Sequence, residues 1–165
     1  MKRIGLISDT HGFLDRKLFD YFRDCNEIWH AGDIGTIEVA NLLRQFKPLR
    51  AVYGNIDGQD IRSVYPETLR FFSEKVEVLI KHIGGYPDNY DRSVKEKIVN
   101  CPPDLFISGH SHILKIINDR KLNLLHINPG ACGKNGFHQL RTAVRFTIDQ
   151  DKIKDMEVIE LGKRV

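Results

Sequence analysis

Five apolar runs in this chain end in the same chemistry: an aspartate, asparagine or histidine, in four of the five with a glycine close beside it. KRIGLIS runs into Asp9-Thr10-His11-Gly12, EIWHA into Gly32-Asp33, and LRAVY into Gly54-Asn55. VEVLIK reaches His82, and DLFIS reaches Gly109-His110-Ser111-His112. A short apolar run closed by glycine and polar residues reads as a buried strand entering a turn. The first three runs, at 2–8, 27–32 and 49–54, are separated by helical spacing. Leu14, Leu18, Tyr21 and Phe22 mark a helix within 14–25, and Ile37, Ala40, Leu42 and Leu43 one within 36–46, stopped by Pro48. Strands alternating with helices call for a parallel sheet.

The pattern then changes. Residues 68–72 and 76–82 read as a hairpin around the polar turn 73–75, and 86–100 as loop and helix, ended by Pro102 and Pro103. Residues 104–109, 113–119, 123–128, 140–149 and 153–161 read as strands, the last two as an antiparallel pair. A parallel first half and an antiparallel second half predict an α/β fold of two packed sheets with helices outside. The 165 residues suit one domain, 1–165, with a core large enough to need no disulfide.

In open α/β sheets, ligands bind in the crevice at the carboxyl ends of the strands. The five runs therefore aim Asp9, His11, Asp33, Asn55, His82, His110 and His112 at one place. On a strand reading, Asp9 and His11 at i and i+2 point the same way, and no serine or cysteine nucleophile sits among the seven with an obvious elbow motif. Carboxylate and amide oxygens with imidazole nitrogens suit Mn²⁺, Fe, Zn²⁺, Co²⁺ or Ni²⁺. Seven ligands are too many for one tetrahedral ion. If one carboxylate bridges, they form two sets of four, for two ions able to hold a hydroxide and clamp a phosphoryl group. Gly12, Gly32, Gly54 and Gly109 leave room beside these residues. The glycine-rich stretch 127–136 offers backbone N–H groups for an anion.

Taken singly, each residue has an ordinary reading: a chance surface pair for Asp9 and His11, a helix cap for Asp33, a turn for Asn55 with Asp57. Coincidence fails as an account when all five groups fall at strand ends. His30 reads as a satisfied core or supporting histidine. His126 lies mid-strand and alternation leaves its direction open. His138 is expected in solvent.

Charge and cysteine content set outer limits. The net charge of +3 is spread along the chain and gives a nucleic-acid partner little support. No apolar stretch is long enough for a membrane span, and the N-terminal one is too short for a signal-peptide core. Cys25, Cys101 and Cys132 are odd in number and never in CxxC spacing. They predict reduced thiols and a cytoplasmic protein, with Cys132 a bland thiol. A homo-oligomer through exposed sheet edges is compatible with the sequence.

Asp9-x-His11, Gly32-Asp33, Gly54-Asn55, His82 and Gly109-His110-x-His112 together resemble the calcineurin-like metallophosphoesterase superfamily. Length and Ile127-Asn128-Pro129-Gly130 resemble its small single-domain bacterial and archaeal phosphodiesterases. The resemblance implies a four-layer α/β/β/α sandwich of two mixed sheets. It implies one metal on Asp9, His11, Asp33 and His112, and another on Asp33, Asn55, His82 and His110, with the reaction on Asp33, Asn55 and His110. The cofactors implied are two divalent ions, Mn²⁺ first. The activity implied is in-line attack of a bridging hydroxide on a small phosphodiester. A phosphomonoesterase or nuclease of the superfamily, or a non-catalytic scaffold like a retromer subunit, are the alternatives; degraded ligands would mark the scaffold, and all seven positions are intact.

Two departures stand out. The third motif usually continues Gly-Asn-His-Asp or Gly-Asn-Cys-Asp, and here it is Gly54-Asn55-Ile56-Asp57. Ile56 cannot hand a proton to a leaving group, so His30 or a metal-bound water must do so, or the enzyme must prefer leaving groups that depart as anions. The fourth motif usually has His-Gly, and here it is His82-Ile83-Gly84-Gly85. Tyr86, Tyr90 and Arg92 in the following stretch either rim the site or form an ordinary loop with Asp88 or Asp91 as helix cap.

Overall fold

The computed structural model describes residues 1–165. One sheet has the order β12-β11-β1-β2-β3, from β1 (Lys2–Ile7), β2 (Glu27–His30), β3 (Leu49–Ala51), β11 (Leu140–Asp149) and β12 (Lys152–Lys163). The other has the order β4-β5-β8-β10-β9, from β4 (Thr68–Ser73), β5 (Val76–Lys81), β8 (Leu105–Ile107), β9 (Lys115–Asp119) and β10 (Leu124–Asn128). β1, β2 and β3 are parallel and β11 and β12 antiparallel, as the sequence predicts. The second sheet is not purely antiparallel: β5, β8 and β10 run parallel, with antiparallel β4 and β9 at its edges. The helix α4 (Arg92–Asn100) supplies the crossover from β5 to β8 that a parallel pair requires.

The two sheets face each other across an apolar layer that includes Ile4, Leu6, Trp29, Val78, Ile80, Ile107 and Phe146. The outer face of the first sheet packs against α1 (Lys17–Tyr21), α2 (Ile37–Phe46) and α3 (Gln59–Arg62) through Leu18, Leu43 and Ile61. The outer face of the second packs Phe106 and Leu124 against Val94 and Ile98 of α4. The molecule is thus an α/β/β/α sandwich of two mixed sheets.

Local differences from the sequence reading have local causes. In α2 the buried face is Val39, Ala40 and Leu43, while Leu42 is 48% exposed. Regular α-helix over 14–25 shrinks to five residues, since Asp15 accepts the Lys17 N–H and turns flank the helix on both sides. A small hairpin, β6 (Gly85–Tyr86) and β7 (Asn89–Tyr90), precedes α4. Asp91 caps α4 by accepting from the Ser93 N–H at 2.9 Å, whereas Asp88 pairs with Lys121. No helix is long and apolar enough to cross a membrane.

Candidate metal centre

The five parallel strands β1, β2, β3, β5 and β8 deliver the seven predicted residues to one end of the sandwich. Asp9 and His11 do not alternate along a strand, because β1 ends at Ile7 and both residues are left-handed, with φ of 54° and 47°. Asp33, His110 and His112 also have positive φ, at 55°, 68° and 59°. Five non-glycine residues in a region that costs about 1–3 kcal/mol each mark a strained, over-determined site.

Two clusters result: Asp9, His11 and His112 in one, Asp33, His82 and His110 in the other. His112 Nε2 is 3.1 Å from Asp9 Oδ1, and His82 Nε2 is 3.1 Å from Asp33 Oδ2. The clusters adjoin, with His11 Nε2 3.5 Å from Asp33 Oδ2 and His82 Nε2 3.8 Å from Asp9 Oδ1. Asp33 therefore faces both groups. Asn55 is exposed on the turn after β3 and lines the same cleft as His82. Asp9, Asp33 and His82 are buried, and His110 is exposed.

Asp9 Oδ1, His11 Nε2 and His82 Nε2 are buried without a hydrogen-bond partner. Unmet buried polar atoms cost about 1–3 kcal/mol each. Three of them converging from three segments is the signature of a site built around cations, and oxygen with imidazole nitrogen is a transition-metal donor set. Neighbours set the tautomers. His82 Nδ1 donates to the Ala31 carbonyl at 2.8 Å, which leaves Nε2 free to bind. Asp9 Oδ2 accepts from Ser8 Oγ at 2.6 Å and from the His110 N–H at 3.2 Å, and Asp33 Oδ1 accepts from the Ile56 N–H at 3.1 Å. Each carboxylate thus keeps one oxygen for the centre.

Electrostatics agree with that arrangement. Burial works against ionisation of Asp9, but His11 and His112 beside it more than offset this and hold its carboxyl well below the usual range. Burial also opposes ionisation of Asp33, and His82 outweighs it. The Asp9 carboxylate raises His11. Burial lowers His82, but Asp33 and Asp9 reverse that and raise it.

Several supporting residues stand elsewhere than the sequence reading puts them. His138 is half-buried and held by the protein rather than free in solvent. Its Nε2 donates to the Gly133 carbonyl at 2.9 Å and its Nδ1 accepts from His112 Nδ1 at 3.2 Å, so His112 Nε2 is the bare nitrogen facing Asp9. Its one sequence signal is its place in a glycine-rich loop able to lie close against the ligands. Three amides of that loop are spent within the protein: Gly130 N–H donates to Asn128, Cys132 N–H to the Ser8 carbonyl and Gly133 N–H to the Asp9 carbonyl. His30 is fully buried between the Gly32 N–H and Thr10 Oγ1 and cannot reach a substrate as proton donor. Asp57 accepts three backbone N–H groups, from Ile34, Gly35 and Gly54, and so clamps the Asp33 and Asn55 loops together. A Cβ on Gly54 would lie 2.0 Å from Asp33 Oδ1, so the close approach of those loops requires glycine. Burial pushes the Cys132 thiol far up, in keeping with an inert core residue.

Comparison with known proteins accords with this geometry. Residues 1–151 match the calcineurin-like phosphoesterase superfamily domain. The chain is 30% identical to a probable metallophosphoesterase of Methanothermobacter thermautotrophicus, over 98% of this chain and 94% of that one. Its fold is similar to that of a novel archaeal phosphodiesterase, with TM-score 0.71, 24% identity and coverage of 95% of this chain and 99% of the other. It is also similar in fold to Entamoeba histolytica Vps29 complexed with zinc, with TM-score 0.73, 16% identity and coverage of 96% and 98%. The superfamily works with divalent metal ions, and this chain gathers the residue groups that would hold them. By its match over most of its length, the chain belongs to the calcineurin-like phosphoesterase superfamily.

Proposed function

We propose that this protein is a binuclear metal-dependent phosphodiesterase. The observation that carries the reading is the pair of adjoining donor clusters with Asp33 facing both. Asp9, His11, Asp33 and His112 would hold one divalent ion, and Asp33, Asn55, His82 and His110 the other, with Mn²⁺ the first expectation. Such ions supply an activated water nucleophile and neutralise charge on the phosphoryl oxygens. The protein's share is to fix the donors. Ser8 and the Ile56 N–H hold the two carboxylates, and Ala31 and His138 set the His82 and His112 tautomers. Burial of Asp9 and Asp33 keeps competing water from them.

The surroundings favour a diester over a monoester. Two clefts flank the centre and meet at Ile83 and Asp91. One, of about 410 Å³, includes Asn55, His82, Arg62 and Lys81. The other, of about 490 Å³, includes His110, Tyr86, Tyr90 and Lys115. A diester has one ester substituent for each. Ile56 supplies no proton for the leaving oxygen and Asp57 is engaged with backbone amides, so esters that leave as stable anions are the favoured substrates. A small phosphodiester as partner and a cytoplasmic location belong to the same reading.

The test is turnover by the Mn²⁺-loaded protein of a bis-aryl phosphodiester, an aryl phosphomonoester, a cyclic nucleotide and single-stranded nucleic acid. Activity on the bis-aryl diester in excess of the others is expected. No activity on any, with no metal by elemental analysis, would overturn the reading in favour of a scaffold.

A further inference from the structure

The cleft of about 490 Å³ beside His110 opens next to the second donor cluster, between the β6–β7 hairpin and the start of α4. Two cations line it, Arg92 at the first turn of α4 and Lys115 at the start of β9. Neither side chain pairs with a carboxylate or donates a hydrogen bond to the protein. Lys115 Nζ sits 3.5 Å from the centre of the Tyr86 ring, a contact that holds the ammonium at the cleft without neutralising it. Neutral donors beside them are uncommitted too. The Asn89 side-chain amide bonds nothing in the protein. Ser111 Oγ accepts from the Ile113 N–H and the Asn128 amide, and its own proton is free.

The acids nearby are engaged. Asp91 is the one carboxylate in the lining, and its Oδ1 accepts from the N–H and the hydroxyl of Ser93 at 2.9 and 2.5 Å. Asp88 pairs with Lys121. Asp119 accepts from the Tyr90 hydroxyl and from the Lys121 and Leu122 N–H groups. The other cleft differs, because its Lys81 is already paired with Glu67 at 2.9 Å. Two unpaired cations and two free neutral donors around one opening call for a ligand that accepts hydrogen bonds and carries negative charge. Ile83 and the Tyr86 and Tyr90 rings supply apolar wall for the carbon body that bears it.

We propose that the cleft beside His110 is a substrate subsite for an ester substituent that ends in a second anionic group, a phosphate or a carboxylate, held by Arg92 and Lys115. The proposal rests on the phosphodiesterase reading and narrows it to diesters of alcohols that are themselves acidic. Arg92 and Lys115 are specificity residues here, not catalytic ones.

Two measurements test it. The first uses the metal-free protein and needs no turnover. Butyl phosphate and butanol are titrated in turn while the Arg92 Nε–H resonance is followed. Butyl phosphate is expected to shift that resonance saturably, and butanol is not. No shift, a shift that never saturates, or the same titration in Lys115→Met would mean an adventitious ion only and would overturn the proposal. The second compares kcat/KM of the Mn²⁺-loaded protein for three p-nitrophenyl phosphodiesters, whose other substituent is butyl, phosphooxybutyl or carboxybutyl. The wild type is expected to prefer an anionic substituent over butyl, and the better of the two anions identifies the group the cleft takes. A charge-assisted hydrogen bond is worth enough that the double variant Arg92→Gln, Lys115→Met is expected to reduce the preference by about tenfold or more. No preference in the wild type, or an unchanged one in the folded double variant, overturns the proposal. If the wild type hydrolyses none of the three, the phosphodiesterase reading fails, and the resonance titration still decides whether the cleft binds an anion.

Discussion

His138 Nδ1 lies 3.2 Å from His112 Nδ1, and this contact orients a predicted metal ligand through a residue that touches no predicted ion. The chain of bonds runs from the Gly133 carbonyl through the His138 ring to His112, and leaves His112 Nε2 facing Asp9 Oδ1 at 3.1 Å. Partners of this kind are worth about 10–100-fold in metal affinity. His138→Ala is expected to weaken Mn²⁺ binding by that factor, and His138→Gln, which can still accept at a similar place, by less. Titration calorimetry on metal-free protein reads the difference. Equal affinities in wild type and His138→Ala would exclude the orienting role.

Asp33 is the carboxylate that reaches across the two clusters more closely, with His82 at 3.1 Å and His11 at 3.5 Å, against 3.8 Å from Asp9 to His82. Replacement by asparagine removes the charge and keeps the shape. Loss of a central electrostatic group costs about 10²–10³ in rate, and here one group serves two ions. Asp33→Asn is therefore expected to cut diester turnover at least about a thousandfold. A near-wild-type rate at saturating Mn²⁺ would rule out Asp33 as the shared ligand.

Ile56 is 46% exposed at the edge of the centre, so a larger polar side chain fits there without disturbing the core. General acid assistance contributes typically 10²–10⁴-fold. The wild type is expected to hydrolyse aryl diesters much faster than alkyl diesters. Ile56→His is expected to raise the alkyl rate by at least about tenfold and the aryl rate by less, because only the alkyl leaving group needs the proton. A plot of rate against leaving-group pKa for both proteins checks this: parallel lines would show that Ile56 is not what limits the alkyl esters.

Asp57 holds three backbone N–H groups and is 3% exposed. Asp57→Ala would leave those amides without an acceptor, at about 1–3 kcal/mol for each that water cannot reach. A loss of about 3 kcal/mol or more in unfolding free energy is expected by urea denaturation of the metal-free protein. Because Asp57 bridges the loops that carry Asp33 and Asn55, metal binding is expected to weaken in the same variant. A loss below about 1 kcal/mol would show that the loops hold themselves.

The sequence made the strands and the gathering of seven donors legible because both are written in local patterns. Apolar runs define strands, and the parallel order of those runs places their ends together. It did not reveal why Asp9 and His11 converge. Alternation was the wrong reason, since left-handed backbone in the loop after β1 turns both side chains inward. Asp57, Ser8 and His138 were illegible as supports for a related cause: their partners are backbone groups and rings from distant segments, and no spacing records them. The parallel pairing of β5 with β8 depends on a crossover through α4, and β8 and β10 pair parallel although separated by an edge strand. Hydrophobic runs do not carry strand direction.

The buried histidines outside the centre give the last prediction. Burial depresses His126 from its ordinary value near 6.5 to about 4. In an unfolded chain the same ring takes up a proton at about 6.5. Between those values the unfolded state binds more protons than the folded one, so stability rises with pH across this window. His126 thus contributes nothing unfavourable above pH 6.5, and its cost grows as the pH falls through 6.5 towards 4. Acidification from pH 7 to 5 is expected to cost the metal-free protein about 2 kcal/mol through this one ring. His126→Phe keeps a ring of similar size and removes the titration. Urea denaturation of both proteins at pH 7 and pH 5 isolates it, because the carboxylates that also titrate are common to both. The variant is expected to lose less stability than the wild type over that interval. An equal loss would mean that the ring is protonated in the folded state, with the Nε2 acceptor filled by its own proton.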